Sequence, residues 1–371
     1  MAAPLGSVRP VVLAVALVAS VGGLALVLAH CARDGARDAR EAEVAEGGRL
    51  YTAYCALCHG EEGEGYAADD ANALANQDFL VSVTDEFLYE NIAQGHPGTA
   101  MAAYGNEHNG PLDRGEVQRI IAFIRTWQTE PSVALPEVTP GDRGGAAVVY
   151  ARRCASCHGV EGQGSTAISL NNSVFLDTAS DAQITYAILH GRRGTPMPAF
   201  EDELEAEQIR DIVALIRSWA TEVEAAVPAT PILPENVVTN PEGERAERGD
   251  RRGDRDVPSA VINEQLRQGR RMILLEARPP SDYVRYHLPG AVDSPYYEVE
   301  TVMEHLPRDG TPIIAYCGCP HAASGRVMDF LRENGFTNTA VLDEGVRFWH
   351  DEGFPVVEGA EPGTYAEAAA D

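Results

Sequence analysis

Two five-residue stretches carry the chemistry of this chain: Cys55-Ala-Leu-Cys58-His59 and Cys154-Ala-Ser-Cys157-His158. A cysteine, two spacers, a second cysteine and then a histidine is the pattern that attaches c-type haem. On one helical turn two thiols three positions apart share a face, so both can reach the vinyl groups of a single porphyrin. The histidine that follows lies beside the iron, and haem iron commonly takes such a proximal imidazole, with a methionine opposite when the task is electron transfer. One copy would equally serve as a redox dithiol or as half of a zinc site. Two copies, each followed by glycine (Gly60 and Gly159), favour two covalently bound haem c groups on Cys55, Cys58, Cys154 and Cys157.

The elements around the motifs repeat as well. Gly47-Gly48-Arg49-Leu50-Tyr51 leads a helix into Cys55, and 113–129 supplies a second helix, with Val117, Ile120, Ile121, Ile124 and Trp127 spaced by three and four so as to bury one face. Pro131 and Pro136 mark a break. The second copy places Val148, Val149 and Tyr150 ahead of Cys154 and closes over 205–221 through Ile209, Ile212, Val213, Ile216 and Trp219. Between motif and closing helix, Leu74, Asn76, Phe79 and Leu80 answer to Leu170, Asn172, Phe175 and Leu176, and Gly98-Thr99-Ala100-Met101 answers to Gly194-Thr195-Pro196-Met197. This is a duplicated domain, with a period far longer than solenoid repeats.

Both copies resemble class I c-type cytochrome domains, in the Cys-x-x-Cys-His near the start, the methionine in a late loop and the amphipathic closing helix with its aromatic. The resemblance covers 46–222, as a first domain over 46–130 and a second over 140–222. It implies two small all-α folds, each wrapped round one haem, with His59 and Met101 on the first iron and His158 and Met197 on the second. A neutral thioether favours ferrous iron, raises the potential and leaves no position open for substrate. Pro196 and Pro198 flank Met197 with fixed φ, whereas Met101 sits between alanines, with His96 and His108 in the same region as competing ligands.

Beyond Pro258 the pattern becomes α/β: a helix over 260–268, a buried strand over 272–276, and another over 312–316 that runs into Cys317, followed by a helix through Val327, Met328, Phe330 and Leu331. A cysteine between the end of a parallel strand and the start of a helix meets converging N–H groups that favour a thiolate. Over 258–358 this segment resembles a rhodanese domain, through Glu276-Ala-Arg278, Asp282-Tyr283, His287-Leu-Pro289-Gly290-Ala291, Tyr316-Cys317, Gly335-Phe336 and Glu344-Gly345 through Trp349 to Phe354-Pro355. The resemblance implies that Cys317 attacks sulfane sulfur and carries it as a persulfide, which Cys319 could resolve. Where thiosulfate-using members end the loop with Arg or Lys, this chain has Ala322 and Ala323, and only His321 offers charge inside the loop, which argues against thiosulfate as donor.

The remaining segments are read as an anchor, a spacer and a linker. Val11 to Ala29 is an unbroken run of apolar and small residues, long enough to span a bilayer. Residues 1–31 are therefore expected to be an uncleaved transmembrane anchor, with a cleaved signal or lipidation at Cys31 as alternatives, and the rest lies on the periplasmic side of a bacterial inner membrane. Residues 32–45 are charged, Ala-rich and without an apolar face, so they read as a spacer; 223–257, with Pro228, Pro231, Pro234 and Pro241 followed by charged residues and Gly, reads as a linker from which the third domain is tethered; 359–371 is a tail. A formal charge of −27 over 371 residues argues against nucleic acid and favours basic patches on a soluble redox partner, though an acidic surface also serves solubility alone. Taken together, the expectation is an exported, membrane-tethered dihaem electron carrier that works between redox proteins of a respiratory chain, with a rhodanese-like module for a sulfur compound. The alternative is a sulfur-oxidising or sulfurtransferase enzyme in which Cys317 forms the persulfide and the haems remove electrons.

Overall fold

The repeated apolar spacing becomes a repeated bundle. The computed structural model describes residues 35, 37–67, 71–139, 141–220, 231–247, 255–318 and 322–370. Residues 11–29, Cys31, Cys319 and His321 lie outside them; among the described residues no helix is long and apolar enough to cross a membrane. In the first bundle α1 (37–54) runs into α2 (Ala56–His59), followed by α3 (Gln77–Leu80), α4 (Asp85–Gln94) and α5 (Arg114–Ile124). The second repeats this with α6 (Ala146–Arg153), α7 (Ala155–His158), α8 (Ser173–Thr178), α9 (Asp181–His190) and α10 (Ala206–Arg217). Asp113 caps α5 in a capping box with Glu116, and Val117, Ile120, Ile121 and Ile124 face the core; Ile209, Ile212, Val213 and Ile216 do the same in α10. Each such side chain contributes about 1.5–3 kcal/mol by leaving water.

Equivalent residues lock each bundle. Tyr51 and Tyr150, both buried, stack edge-on against Trp127 and Trp219, with ring centroids 5.1 and 5.0 Å apart. Their hydroxyls donate to the carbonyls of Gly60 and Gly159, at 2.7 and 3.0 Å, which ties the motif end to the helix crossing. The expected spacer departs from its reading: the chain is already helical from residue 37, as the exposed first half of α1. An Ala- and Glu-rich stretch needs no buried face for this, because propensity and continuity with a packed helix suffice.

The third domain is a five-stranded, all-parallel sheet of order β1-β5-β4-β2-β3, built from β1 (Asp256–Val257), β2 (Ile273–Glu276), β3 (Val292–Asp293), β4 (Ile313–Tyr316) and β5 (Thr339–Leu342). Its strands are buried on both faces, as parallel strands covered by helices must be. On one side α11 (Ser259–Arg267) and α15 (Gly345–Asp351) pack Ile262, Leu266, Val346 and Trp349. On the other, α13 (Val299–Met303) and α14 (Ala322–Glu333) pack Val299, Val302, Val327 and Leu331.

The linker expectation is corrected in part. Of 223–257, residues 231–247 lie on the α/β domain: Thr239 exchanges backbone hydrogen bonds with Met272, Val237 is buried in the sheet's core, and Ile232 N–H donates to Ala360 O. Nor is the α/β domain merely tethered, because it is seated on the first bundle. Tyr296 Oη donates to Tyr54 O at 2.7 Å, the Tyr54 and Tyr297 rings meet edge-on at 4.7 Å, and Ser281 Oγ donates to Ala103 O at 2.9 Å.

Candidate functional site

Each motif occupies the same local structure. Cys55 and Cys154 stand at the N-caps of α2 and α7, the second cysteine lies within the turn, and His59 and His158 close it, both buried. His59 Nδ1 donates to Asn72 O at 2.9 Å, and His158 Nδ1 donates to Ile168 O at 2.9 Å. A carbonyl can only accept, so the proton sits on Nδ1 and Nε2 is left as the basic nitrogen in both rings. Burial lowers both imidazole pKa values, which keeps the rings neutral and able to ligate.

The thiols do not look like a redox couple. Burial, with the second thiol adding to it, pushes Cys55 up to about 12 and Cys154 up to about 11, whereas reactive Cys-x-x-Cys pairs have lowered values. Among the described residues no three His, Cys, Asp or Glu side chains gather where they could hold a metal ion.

The methionine loops are superimposable in their hydrogen bonds. His96 N–H donates to Met101 O at 2.7 Å, Met101 N–H donates to Thr99 Oγ1 at 3.1 Å, and Thr99 donates to His96 O. Arg192, Thr195 and Met197 make the same set, with Arg192 N–H to Met197 O at 3.0 Å and Met197 N–H to Thr195 Oγ1 at 3.2 Å. Met101 therefore has the same backbone support as Met197 without flanking prolines. Gly95 and Gly191 close both loops at positive φ; a Cβ on Gly191 would lie 2.6 Å from Met197 O, and one on Gly95 would collide with Ala102.

His96 sits beside Met101, but its Nε2 is 2.6 Å from Asn91 Oδ1, which it meets as a donor. Burial, followed by the nearby His59, pushes its pKa down to about 4. His108 lies on an exposed turn at Asn106–His108.

Each pocket thus draws its donor set into one apolar cluster. Cys55 and Met101 pack on the core built from Tyr51, Leu80, Ile92 and Ile120, and Cys154 and Met197 on that built from Tyr150, Leu176, Ile188 and Ile212. Two thiols, a neutral imidazole with a free Nε2 and a thioether in a water-poor cluster fit haem c.

The two pockets are joined by reciprocal contacts that sequence reasoning missed. Asn76 Nδ2 donates to Arg193 O at 2.8 Å, and its counterpart Asn172 Nδ2 donates to Pro97 O at 2.9 Å. Both acceptors stand four residues ahead of the methionine. Arg193 also ion-pairs with the buried Asp78 at 2.9 Å.

In the α/β domain Cys317 follows β4 as expected, but the residue is 1% exposed, with Sγ 3.3 Å from Ser324 Oγ in α14. Arg278 is held by Glu276, through bonds of 3.0 and 2.8 Å, and by Tyr286 O. Burial works against its charge, but Glu276 and Asp282 outweigh that and raise its pKa. Positive charge also reaches the cysteine loop from outside it: a Cβ on Gly318 would lie 3.4 Å from Arg278 Cδ and 3.8 Å from Arg347 Nε. Reading the loop alone could not find Arg347, which arrives on α15.

Comparison with known proteins gives the same division. The family described as "Cytochrome C oxidase, cbb3-type, subunit III" matches residues 42–124 and 143–216, and the rhodanese-like domain family matches 260–352. A cbb3-type cytochrome c oxidase subunit CcoP from Azospirillum is 27% identical over 191 residues, covering 46% of this chain and 61% of the relative. A cytochrome bc1 complex cytochrome c subunit from Corynebacterium efficiens is 25% identical, covering 48% and 64%. The chain thus spans about six tenths of the length of these curated relatives. Among solved structures, a rhodanese-related protein from Thermoplasma volcanium aligns at 22% identity with a TM-score of 0.25, covering 28% of this chain and 98% of the other. The chain thus carries two tandem cytochrome c domains, matched over 42–124 and 143–216, followed by a rhodanese-like domain matched over 260–352.

Proposed function

We propose that the protein is an exported electron carrier holding two haem c groups, tethered to a membrane through residues 11–29, whose rhodanese-like domain handles sulfane sulfur at Cys317. The observation that carries the haem assignment is the matched pair of Nδ1–H donations, His59 to Asn72 O and His158 to Ile168 O, which orient Nε2 as a ligand in both motifs. Haem c supplies a one-electron couple when bound. In this reading Cys55, Cys58, Cys154 and Cys157 would attach the two groups, His59 and His158 would supply imidazole ligands, and Met101 and Met197 would supply thioether ligands that leave no place for substrate. The apolar clusters round them exclude water, and the duplicated turn at 96–101 and 192–197 holds each sulfur in place. The names of the relatives, an oxidase subunit and a bc1 subunit, support redox proteins of a respiratory chain as partners.

At the α/β domain the Cys317 thiolate attacks the outer sulfur of a sulfane donor. The donor's S–S bond breaks, the donor leaves as a thiolate, and Cys317 keeps the transferred sulfur as a persulfide. The second reading, a sulfur-oxidising enzyme, is favoured by one observation: the domain carrying Cys317 rests on the first motif, with Leu57 packed against its core.

The test is an optical redox titration of the purified holoprotein. Two one-electron components, both with the weak far-red sulfur-to-iron band, are the expected result, with Met101→His and Met197→His each removing the band from one component. A wild-type protein lacking that band at one haem would overturn the corresponding methionine.

A further inference from the structure

The two motifs meet different surroundings, and the difference is written in the residues where the duplicated domains diverge. Leu57, inside the first motif, packs against the α/β core, while its counterpart Ser156 is exposed. Tyr54, one residue before the first motif, receives the Tyr296 hydroxyl and the Tyr297 ring; its counterpart Arg153 is exposed and pairs only with Glu203 of its own domain, at 3.2 Å. Tyr104 Oη lies 3.3 Å from Tyr296 Oη, and its counterpart is Phe200, which has no hydroxyl. Ala103, whose carbonyl accepts from Ser281, is buried, and its counterpart Ala199 is exposed. At four equivalent places the first domain has a residue that docks; three of the counterparts face water, and the fourth, Phe200, is buried in its own core without a hydroxyl to offer.

We propose that the rhodanese-like domain is a built-in cap on the first Cys-x-x-Cys-His face, reserving the first pocket for electron exchange within the chain and leaving the second as the pocket a separate redox protein reaches. This rests on the haem reading above and adds a direction to it. The cap is seated by apolar burial and by hydrogen bonds just ahead of the motif and just past the methionine loop, so it has a defined register. Tyr296 ties it to the carbonyl preceding Cys55, and Ser281 to the carbonyl two residues past Met101. α14, which starts beside the Cys317 loop, lies over α2, and a cleft of about 490 Å³ between them is lined by Leu57, Ala322, Arg326 and Phe330. The cleft runs along α14 from Ala322 to Glu333 beside Leu57, so this face of the first motif lies against the α/β domain and not open to a protein partner. Among the described residues nothing equivalent lies on the second motif, where Ser156 and Arg153 stay exposed.

The test uses the full-length holoprotein and two variants that open the seam from opposite sides. Leu57→Ser gives the first motif the spacer already present in the second, so haem attachment should tolerate it; Phe330→Glu acts from α14 and changes no motif residue. Amide hydrogen exchange followed by mass spectrometry should show about tenfold faster exchange at 322–333 and across 53–58 in both variants. A second arm measures reduction of the oxidised protein by a small, soluble, reduced c-type cytochrome and by dithionite. With Cys154→Ser and Cys157→Ser together, leaving one haem, the rate with the protein donor should fall by about tenfold and be restored by Leu57→Ser or Phe330→Glu, while dithionite reduces all forms alike. Unchanged exchange at 322–333 in both folded variants, or an undiminished rate with the protein donor when only the first haem remains, would overturn the cap. Absence of haem from both motifs would instead overturn the haem reading, and the exchange experiment would still decide the cap.

Discussion

The side-chain amide of Asn172 donates to the carbonyl of Pro97 at 2.9 Å, so the loop that presents Met101 is held by the other cytochrome domain. Asn172 Oδ1 also accepts from Phe175 N–H, which makes the residue the N-cap of α8. Replacing it with alanine removes a cap and leaves a half-buried carbonyl without its donor. Asn172→Ala should lower stability by about 1–3 kcal/mol and weaken the far-red band of the first haem while sparing the second. Thermal unfolding and the oxidised spectrum check this; a loss confined to the second haem would contradict it.

Glu276 and Arg278 form an almost wholly buried ion pair at the start of the cysteine-loop side of the sheet. Arg278→Gln leaves the carboxylate buried without its cation, a change that costs about 3–5 kcal/mol. The α/β domain should then unfold at a markedly lower temperature, followed by far-UV circular dichroism, while the haem absorbance keeps its own transition. Unaltered melting would contradict the role of the pair.

Asp293, in β3, is half-buried with its Oδ1 enclosed and unpartnered among the described residues, and burial, then Glu276 and Glu298, hold its pKa well above the ordinary 3.8. A carboxyl with a raised folded pKa supports the fold fully below its unfolded value, and that support is lost as pH rises through the folded value. Asp293→Asn should therefore gain on the wild type as pH rises from about 4 to about 8. Melting temperatures across that range decide it, and a gain on acidification would be the wrong sign.

Cys317→Ser keeps the size of the side chain but removes the sulfur nucleophile. Titrating the oxidised holoprotein with sulfide, thiosulfate and glutathione persulfide should give haem reduction by at least one donor if the protein oxidises sulfur, and Cys317→Ser should abolish it with unchanged haem spectra. Reduction that survives the substitution would show that the haems, not Cys317, meet the donor; no reduction by any donor supports the carrier alone.

Much of this was legible in the residues. The duplicated motifs and the Ile-rich closing helices announce themselves because covalent attachment and a buried helix face both impose fixed spacing, and α5, α10, β2 and β4 lie where period and composition put them, while the two-residue β1 and β3 are too short to show a pattern. The helical 37–45 escaped because an exposed helix has no apolar period to read. Pro231, Pro234 and Pro241 correctly ruled out helix over 231–241, yet could not show that Thr239 pairs with Met272. Contacts between domains, such as Tyr296 to Tyr54, join residues far apart in the chain. Their one trace was the divergence of the copies, Leu57 against Ser156 and Tyr54 against Arg153, legible only once the structure shows which face is covered.

The account depends most on haem being bonded to both motifs. Intact-mass analysis of protein from a host that matures c-type cytochromes measures this directly. The chain should carry the added mass of two haem groups, falling to one in Cys55→Ser with Cys58→Ser and to one in Cys154→Ser with Cys157→Ser. A chain recovered folded at its bare polypeptide mass would contradict it.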